Sequence, residues 1–305
     1  MGDYPKTIFE FERQFITEKA CEEPLFQIRW PEGFICPRCG HRGFWSSKIE
    51  KYRCRRCESR VSVKAGTIFQ DSRISLRVWF RAMWQVVSQK HGISALGLQQ
   101  VLGLNRYETT WTMLHKLRIA MVRPGRDRLA GSVQVDEIYI GGPRSGKRGR
   151  GAADKTLVLV AVENKDGRCG RIRLRKVKDA SGASLIPQIK NSVQPRSEIC
   201  TDGWEGYSQL TASDYKHTII RETADVGKNL LPLANRVTAL LKRWLLGTHQ
   251  GKPSRVHLDY YLDEFVFRFN RRTSQSRGLL FYRLIQQAMS TAPVKGKDIC
   301  GKDRR

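Results

Sequence analysis

Between residues 74 and 121, apolar side chains recur at steps of three and four residues, which is the spacing of an amphipathic α-helix. The first run has its apolar positions at Leu76, Trp79, Phe80, Met83, Trp84 and Val87. A short helix follows over residues 94–102, a glycine-bearing turn covers 103–105, and a last helix extends over about 106–121. This stretch of the chain therefore predicts a helix–turn–helix pair.

A helix, a glycine-bearing turn and a second helix form the geometry that lays the second helix into the major groove of DNA. The polar and aromatic positions of that second helix, which we expect to be exposed and to contact DNA, are Arg106, Tyr107, Thr109, Thr110 and Lys116. Helical hairpins with the same pattern also occur as packing units in protein cores, and this alternative stays open.

From Ser132 onward, the apolar positions alternate with a period of two, which predicts β-strands. The first strand carries Asp136 in its middle, beside Glu137. Further strands are predicted over 156–163, 171–175 and 198–201, with a helix over 181–192. Strands interspersed with helices indicate an α/β domain.

Asp202 follows the last of these strands directly and precedes a glycine, at the edge where α/β sheets usually place their chemistry. If Asp136 lay beside it, the two carboxylates would repel each other unless a divalent cation neutralised them. Oxygen ligands of this kind suit Mg²⁺ or Mn²⁺, which support phosphodiester chemistry. An aspartate at a strand end is also a common turn residue, so the spacing alone does not decide.

Four of the eight cysteines form two C-x-x-C pairs, Cys36 with Cys39 and Cys54 with Cys57. Two such pairs separated by a short hairpin predict a closed, tetrahedral, structural Zn²⁺ site. The segment is rich in arginine and lysine and contains Trp45 and Tyr52, which fits a nucleic-acid surface. A purely structural zinc clip with solvated charges is the alternative.

The whole chain of 305 residues carries 55 Lys and Arg against 29 Asp and Glu, a net charge of +26. Its 40% of hydrophobic residues suffices for packed cores, which excludes a disordered basic tail. Such a charge attracts nucleic acid, and the sequence has no apolar run long enough to span a membrane. Because the N-terminus has no signal-peptide pattern, we expect a cytoplasmic, nucleoid-associated protein without a membrane partner.

Several segments occur in a characteristic order after the cysteine pairs: GISALGLQQVLGLN, VDEIYIGG with KRGRGAADK, TDGWEGY, LLKRWLLGTHQG and HLDYYLDEFVFRFNRR. This arrangement resembles the transposases of the bacterial insertion-sequence 1595 family over almost the full chain. The resemblance implies a ribonuclease-H-like fold, an acidic triad that binds two Mg²⁺ ions, and cut-and-join chemistry on inverted-repeat DNA. Asp136 and Asp202 match the first two triad positions.

The third triad position departs from the family pattern. Many relatives carry Glu seven residues before the lysine of the LKR segment; here that lysine is Lys242 and the earlier position is Asn235. Seven residues make about two helical turns, so both would lie on one helix face. The resemblance thus implies Asn235 as a weaker, uncharged metal ligand and Lys242 as a phosphate contact. Glu222, Asp263 and Glu264 stay open as substitutes.

Further basic residues are expected to contact DNA, in the glycine-rich loop and in the LKR segment: Lys147, Arg148, Arg150, Lys242 and Arg243. His217 fits either a general base or an ordinary surface histidine. Trp204 and Tyr207 fit either base stacking or core packing. Phosphate binding and helix capping both remain open for Arg268, Arg271 and Arg272.

The predicted organisation is a helical segment, a zinc ribbon, a helix-turn-helix segment, a ribonuclease-H-like domain and a basic tail, over residues 1–30, 31–66, 72–124, 130–285 and 286–305. The expected partners are double-stranded DNA, namely the inverted repeats and the target, with a dimer or higher assembly on DNA. The leading hypothesis is an active transposase. The alternatives are an inactive DNA-binding regulator derived from one, and a nuclease or RNA-processing enzyme on the same fold.

Overall fold

The computed structural model describes residues 4–46, 51–123, 125–141, 155–212, 214–222, 230–250 and 254–300, with the backbone alone at 222. The chain divides into two compact units. The first contains Met1–Pro124 together with Ser274–Lys302, and the second contains Gly125–Thr273.

In chain order, the first unit has helices before and after a small sheet. Its helices are α1 Ile8–Gln14, α2 Glu18–Arg29, α3 Leu76–Ser88, α4 Ala95–Leu102 and α5 Tyr107–Ala120, followed much later by α9 Arg277–Ser290 and α10 Gly296–Cys300. Ser75 and Ser94 cap α3 and α4 with their side-chain oxygens, as the preference for serine at helix starts predicts. The three helices predicted between residues 74 and 121 therefore form.

An aromatic cluster unites the two ends of the chain within the first unit. Phe281 of α9 lies 5.1 Å from Phe11 of α1 and 5.3 Å from Phe80 of α3, measured between ring centroids. Because α9 packs here, residues 277–285 belong to the first unit, although the sequence-based boundaries placed them in the catalytic domain. The second unit ends at Thr273 instead.

The cysteine-bearing segment folds as a three-stranded antiparallel sheet of strands β1 Phe44–Ser46, β2 Lys51–Cys54 and β3 Arg60–Ser62. Tyr52 at its centre is buried among aromatic rings, 5.1 Å from Phe26 and 5.4 Å from Trp30. The Tyr52 hydroxyl donates a hydrogen bond to the carboxylate of Glu22 on α2. This contact ties the small sheet to the N-terminal helices.

The second unit is built on a five-stranded mixed sheet. Its strands are β4 Ser132–Ile140, β5 Thr156–Lys165, β6 Arg168–Val177, β7 Glu198–Thr201 and β8 Lys216–Ile219, in the order β6-β5-β4-β7-β8. Its helices are α6 Gly182–Ser192, α7 Pro232–His249 and α8 Leu258–Asn270. The first three strands are mutually antiparallel, whereas β7 and β8 run parallel to β4.

Alternation along β4 decides which helices each side chain faces. Ile138 and Ile140 pack with α7 and α8, whereas Val133 and Val135 pack on the opposite face with α6. Because successive side chains of a strand point to opposite faces, Asp136 belongs to the face covered by α7 and α8. In the part of the chain that the structure describes, no helix is both long and apolar enough to cross a lipid bilayer.

Candidate active site and zinc site

The register of two parallel strands brings the two predicted aspartates to the same level of the sheet. Val133 pairs with Ile199 and Gln134 pairs with Cys200. Continuing that register by two residues sets Asp136 opposite Asp202, immediately beyond the end of β7. Neighbouring strands lie about 4.8 Å apart, so the two aspartates lie side by side at the same level of the sheet.

Asp202 is held by the turn that follows β7. One oxygen accepts a hydrogen bond from the backbone N–H of Trp204 at 3.0 Å, and the other lies 3.3 Å from the guanidinium of Arg221. Gly203 makes the turn possible, since its φ is +86° and a Cβ there would lie 2.6 Å from the Ile219 side chain. The Asp-Gly sequence after the strand is therefore a steric requirement as well as a motif.

Tyr207 connects the same turn to β4 from the opposite face of the sheet. Its ring is fully buried, and its hydroxyl donates to a carboxylate oxygen of Glu137 at 2.5 Å. Burial, followed by the negative charge of Glu137, raises the pKa of Tyr207 well above its ordinary value, with smaller contributions from Asp136 and Asp202. Tyr207 therefore keeps its proton and serves as a hydrogen-bond donor to Glu137, and its buried ring packs in the core and presents no face to a base.

Helix α7 carries the third predicted ligand. Asn235 lies in its first turn and Lys242 two turns later, and both are exposed, as are Arg236 and Arg243. The opposite side of α7, which includes Val237 and Leu241, is buried in the core. The predicted common face of Asn235 and Lys242 thus points away from the core.

The start of α7 is attached directly to β4. The side-chain oxygen of Gln134 accepts hydrogen bonds from the backbone N–H groups of Leu233 at 2.9 Å and Ala234 at 3.2 Å. Gln134 precedes Asp136 by two residues and lies on the same face of the strand. Sequence reasoning missed this contact; a polar residue between the apolar residues Val133 and Val135 was the available signal.

The acidic substitutes for Asn235 are occupied elsewhere or not described. Asp263 is 3% exposed and lies 3.1 Å from the guanidinium of Arg175, and Glu264 is 1% exposed and lies 2.8 Å from that of Arg268. The side chain of Glu222 lies outside the described residues. Within those residues, no three carboxylates come to metal-ligand spacing. The described part of the site therefore contains no all-carboxylate triad.

Four thiols meet in the first unit, and their geometry fits zinc. The sulfur atoms of Cys36 and Cys57 are 3.7 Å apart, those of Cys39 and Cys54 are 3.6 Å apart, and all four lie within 4.8 Å of one another. A tetrahedral ion with Zn–S bonds of about 2.3 Å requires sulfur atoms about 3.8 Å apart. The four sulfurs leave no open coordination position, so the site is structural.

The helix–turn–helix prediction is corrected at one residue. Arg106 and Tyr107 are exposed at the start of α5 and Thr109 is half-buried, but Thr110 is fully buried and cannot contact DNA. Lys116 is also half-buried: burial lowers its pKa, and its ammonium lies 3.5 Å from the carbonyl oxygen of Ile68. Thr110 lies on the side of α5 that faces the core, together with Met113 and Leu114.

The remaining candidates take structural places. His217 Nε2 is 2.9 Å from the hydroxyl of Thr201, in the strand next to it. The guanidinium of Arg271 donates to the carbonyl of Phe267, and that of Arg272 to the carbonyls of Phe269 and Cys169, so both cap the end of α8. The predicted DNA contacts in the glycine-rich loop lie outside the described residues: Lys147, Arg148 and Arg150.

Comparison with known families is consistent with both sites. Residues 128–270, which include all five strands of the larger sheet, match the ISXO2-like transposase domain, and residues 16–60 match the transposase zinc-ribbon domain. The chain therefore contains a transposase domain and a transposase zinc ribbon, which confirms the predicted resemblance to the insertion-sequence 1595 transposases.

Two relatives have names that refer to a transposable element or to a transposase. An uncharacterized protein in the transposable element ISH50 of Halobacterium salinarum is 25% identical over 279 residues, which cover 84% of this chain and 92% of the relative. An uncharacterized transposase-like protein of Haemophilus influenzae is 25% identical over 118 residues, covering 37% of this chain and 92% of that protein.

Proposed function

We propose that this protein is a DNA transposase that cleaves the inverted-repeat ends of an insertion sequence and joins them to a target. The observation that carries the proposal is the register of β4 and β7, which sets Asp136 opposite Asp202 within the transposase domain. Carboxylates at one edge of a sheet, with an amide on the adjoining helix, form the donor set of a divalent-metal phosphoryl-transfer site.

The fold of the catalytic unit supports the same proposal. Numbered from β4, the strand order of the sheet is 3-2-1-4-5, with the second strand antiparallel to the first and the last two parallel to it. We propose that this is a ribonuclease-H-like sheet. In such an arrangement the first and fourth strands are neighbours, which places the two aspartates together although 66 residues separate them in sequence.

In the proposed site, Asp136, Asp202 and Asn235 hold Mg²⁺ or Mn²⁺. When bound, the ions supply an activated attacking oxygen and stabilise the leaving oxygen in an in-line displacement. Asp136 and Asp202 provide the negative charge, and Arg221 neutralises part of it at Asp202. Lys242, on the exposed face of α7 with Asn235, positions a phosphate of the DNA.

DNA is bound by the first unit in this proposal. The exposed start of α5, with Arg106 and Tyr107, enters the major groove after the left-handed turn at Gly103, whose φ is +64°. On the zinc ribbon, exposed Trp45 lies between Arg53 and Arg55, whose guanidinium carbons are 5.8 and 5.9 Å from its ring centroid. This ribbon surface provides further contacts to the DNA backbone.

A cleavage assay tests the proposal. The substrate is duplex DNA that carries the sequences flanking the gene, incubated with the protein in Mg²⁺ or Mn²⁺. We expect nicks at the repeat ends, and we expect Asp136→Asn and Asp202→Asn to reduce the cleavage rate by at least about 10³-fold, the scale set by removing a transition-state electrostatic contact. Asp166→Asn, an identical change on an exposed turn, is the matched control and should cleave normally.

One observation favours a second function. Asn235 replaces the third carboxylate, which removes one negative charge from the site and weakens metal binding. A transposase-derived regulator would bind the repeats without cutting them. Sequence-specific binding with no cleavage in either metal would favour the regulator and overturn the proposed enzyme. Equal cutting of unrelated DNA would favour a nuclease instead.

The proposed reaction brings two element ends together. We therefore propose that the protein acts as a dimer or higher assembly on DNA, at the nucleoid. Crosslinking on repeat DNA and on DNA without repeats would test this, since assembly should depend on the repeats.

A further inference from the structure

We propose that Gln134 is a positioning residue that sets the distance between Asp136 and Asn235 by capping helix α7 from the neighbouring strand. This inference rests on the proposed function, because it assigns Gln134 a role in the geometry of the proposed metal site. The residue itself touches neither metal nor DNA in this proposal.

The start of α7 lacks a cap of its own. Leu231 stands at the N-cap position and has no side-chain oxygen, and Pro232 at the first helical position has no backbone N–H. The next two N–H groups, of Leu233 and Ala234, are the ones that a capping side chain normally satisfies. In α7 both donate to one distant oxygen, that of Gln134.

The contact is shielded from solvent. Gln134 is 7% exposed, Leu233 is 7% exposed and Ala234 is fully buried. Water therefore cannot easily replace the amide oxygen, and loss of the acceptor would leave two buried N–H groups without this partner. The position of the first turn of α7 relative to β4 therefore depends more strongly on this one side chain than it would on a solvent-exposed cap.

The same contact fixes two proposed ligands at once. Asn235 follows Ala234 directly, and its own N–H donates to the carbonyl of Leu231 at 2.9 Å, which closes the first turn. Asp136 lies two residues beyond Gln134 on the same strand face, a rise of about 7 Å. Gln134 thus lies two residues from Asp136 in sequence, and it accepts a hydrogen bond from Ala234, the residue before Asn235.

The chemistry of an amide suits this place. Glutamine supplies an acceptor oxygen without adding a negative charge, whereas Asp136, Glu137 and Asp202 already concentrate charge nearby. Supporting residues of metal sites orient the ligands, and their loss typically lowers metal affinity or activity by about 10–100-fold. The same range is expected here.

The test compares Gln134→Met with a matched control, Asn270→Leu. Met approximates the length of Gln but removes the acceptor. Asn270, the last residue of α8, also joins a helix to a strand through its side chain, accepting from Ile172 N–H at 2.8 Å and donating to its carbonyl at 3.2 Å, but that strand is β6, at one edge of the sheet. Both variants lose a side-chain hydrogen-bond contact between a helix and a strand, buried at Gln134 and partly buried at Asn270.

Three quantities are measured for each full-length variant: thermal stability, Mn²⁺ affinity by electron paramagnetic resonance, and the rate of repeat-end cleavage. We expect both variants to lose stability. Only Gln134→Met should lose Mn²⁺ affinity and cleavage rate by about 10–100-fold, whereas Asn270→Leu should stay within about twofold of wild type in both. Gln134→Glu, which keeps the acceptor, should retain Mn²⁺ affinity.

A double variant tests whether Gln134 influences Mn²⁺ affinity through Asn235. If Gln134 acts through Asn235, adding Gln134→Met to Asn235→Ala should change Mn²⁺ affinity by less than twofold, because the ligand it positions is already absent. Should Gln134→Met fail to fold, Gln134→Asn, shorter by one methylene group, replaces it under the same criteria.

Wild-type Mn²⁺ affinity in the folded Gln134 variant, or an equal loss in Asn270→Leu, would overturn the inference while the proposed function stands. Wild-type protein that neither cleaves repeat DNA nor binds Mn²⁺ would instead overturn the proposed function itself. The two failures are therefore distinguishable.

Discussion

The three proposed metal ligands carry unequal charge: Asp136 and Asp202 contribute one negative charge each, and Asn235 contributes none. Backbone geometry determines the position of all three, through the parallel register of β4 and β7 for the aspartates and through the first turn of α7 for the asparagine. Metal affinity in such a site scales with the number of charged ligands. The chain should therefore require more divalent metal than a relative with a third carboxylate.

Replacing Asn235 by Asp should strengthen metal binding. An added negative charge beside a divalent ion contributes about 1–2 kcal/mol in a water-exposed site, which corresponds to roughly a tenfold lower half-saturating Mg²⁺ concentration. The measurement is the cleavage rate as a function of Mg²⁺, together with Mn²⁺ affinity. Leu246→Glu, which adds the same charge at a 68% exposed position on α7, is the control and should have little effect. Unchanged affinity in Asn235→Asp would exclude Asn235 as a ligand.

Tyr207→Phe tests the buried contact beneath the aspartates. The variant keeps the ring and its packing but leaves Glu137 without its phenolic donor, so we expect the free energy of unfolding to fall by about 1–2 kcal/mol. Urea denaturation measures the loss, and the cleavage assay measures the accompanying displacement of the turn at Asp202. Because the pKa of Tyr207 is raised well above its ordinary value, its hydroxyl does not titrate near neutral pH. A stability equal to wild type would contradict this role.

At this scale, the sequence predicted what is local. The immediate neighbours in the sequence identify Asp136, Asp202 and the two C-x-x-C pairs. They also predict that the aspartates lie close together in the sheet and that the four thiols form a cluster. The contacts of Gln134 with Leu233 and of Glu137 with Tyr207 span 99 and 70 residues. Such pairings depend on which helix covers which face of the sheet, and no local pattern specifies that.

At the scale of elements, the antiparallel half of the sheet is secured by one buried carboxylate. Glu163 of β5 is 2% exposed and accepts hydrogen bonds from the backbone of Ala130 and from the backbone and guanidinium of Arg171. Burial raises the pKa of Glu163, but these donors outweigh it and hold the pKa below its ordinary value. The ion pair therefore stabilises the fold only while Glu163 is ionised.

Glu163→Gln should destabilise the protein in a pH-dependent way. A depressed folded-state pKa gives stability that is present above the unfolded pKa, near 4.3, and is lost as the pH falls through the folded value. We expect a loss of about 2 kcal/mol at pH 7, the scale of a hydrogen bond to a charged group, and a smaller difference from wild type at pH 4 and below. Chemical denaturation at a series of pH values measures it. A difference that stays constant with pH would contradict the ion-pair account.

The helix–turn–helix element makes a separable prediction about DNA. Arg106→Ala should weaken binding to repeat DNA by about 1–3 kcal/mol, because Arg106 is exposed at the start of the proposed recognition helix. Thr110→Val, four residues later on the same helix, should bind normally because that side chain is fully buried. Fluorescence anisotropy with labelled repeats measures both. Equal affinities for the two variants would favour the packing hairpin over a DNA-reading element.

The starts of α3 and α4 were predictable because Ser75 and Ser94 cap them, and the end of α4 was predictable because a glycine follows it in the left-handed conformation. The exposure of individual residues was less predictable. Thr110 is polar, yet α5 carries little contrast between its two sides, and contacts with other helices determine which side is buried. A period of 3.6 residues identifies the helix but does not identify its neighbours.

At the scale of the molecule, a basic chain with net charge +26 concentrates its proposed chemistry at an acidic edge of one unit and its zinc site in the other. The boundary between the units is where sequence reasoning differed most from the structure. Helix α9 joins the first unit through Phe281, whose partner Phe11 lies 270 residues earlier. The sequence of residues 277–290 contained no local information on which core would receive this helix.

The central claim is that Asp136 and Asp202 hold a divalent ion during cleavage, and substitution of a sulfur ligand tests it most directly. Asp136→Cys should lose repeat-end cleavage in Mg²⁺, because a thiolate is a poor ligand for a hard cation, and should recover in Mn²⁺, which accepts sulfur more readily. Asp166→Cys should cleave normally in both metals. Cleavage by Asp136→Cys at the wild-type rate in Mg²⁺, or no recovery in Mn²⁺ while repeat DNA is bound normally, would contradict the account.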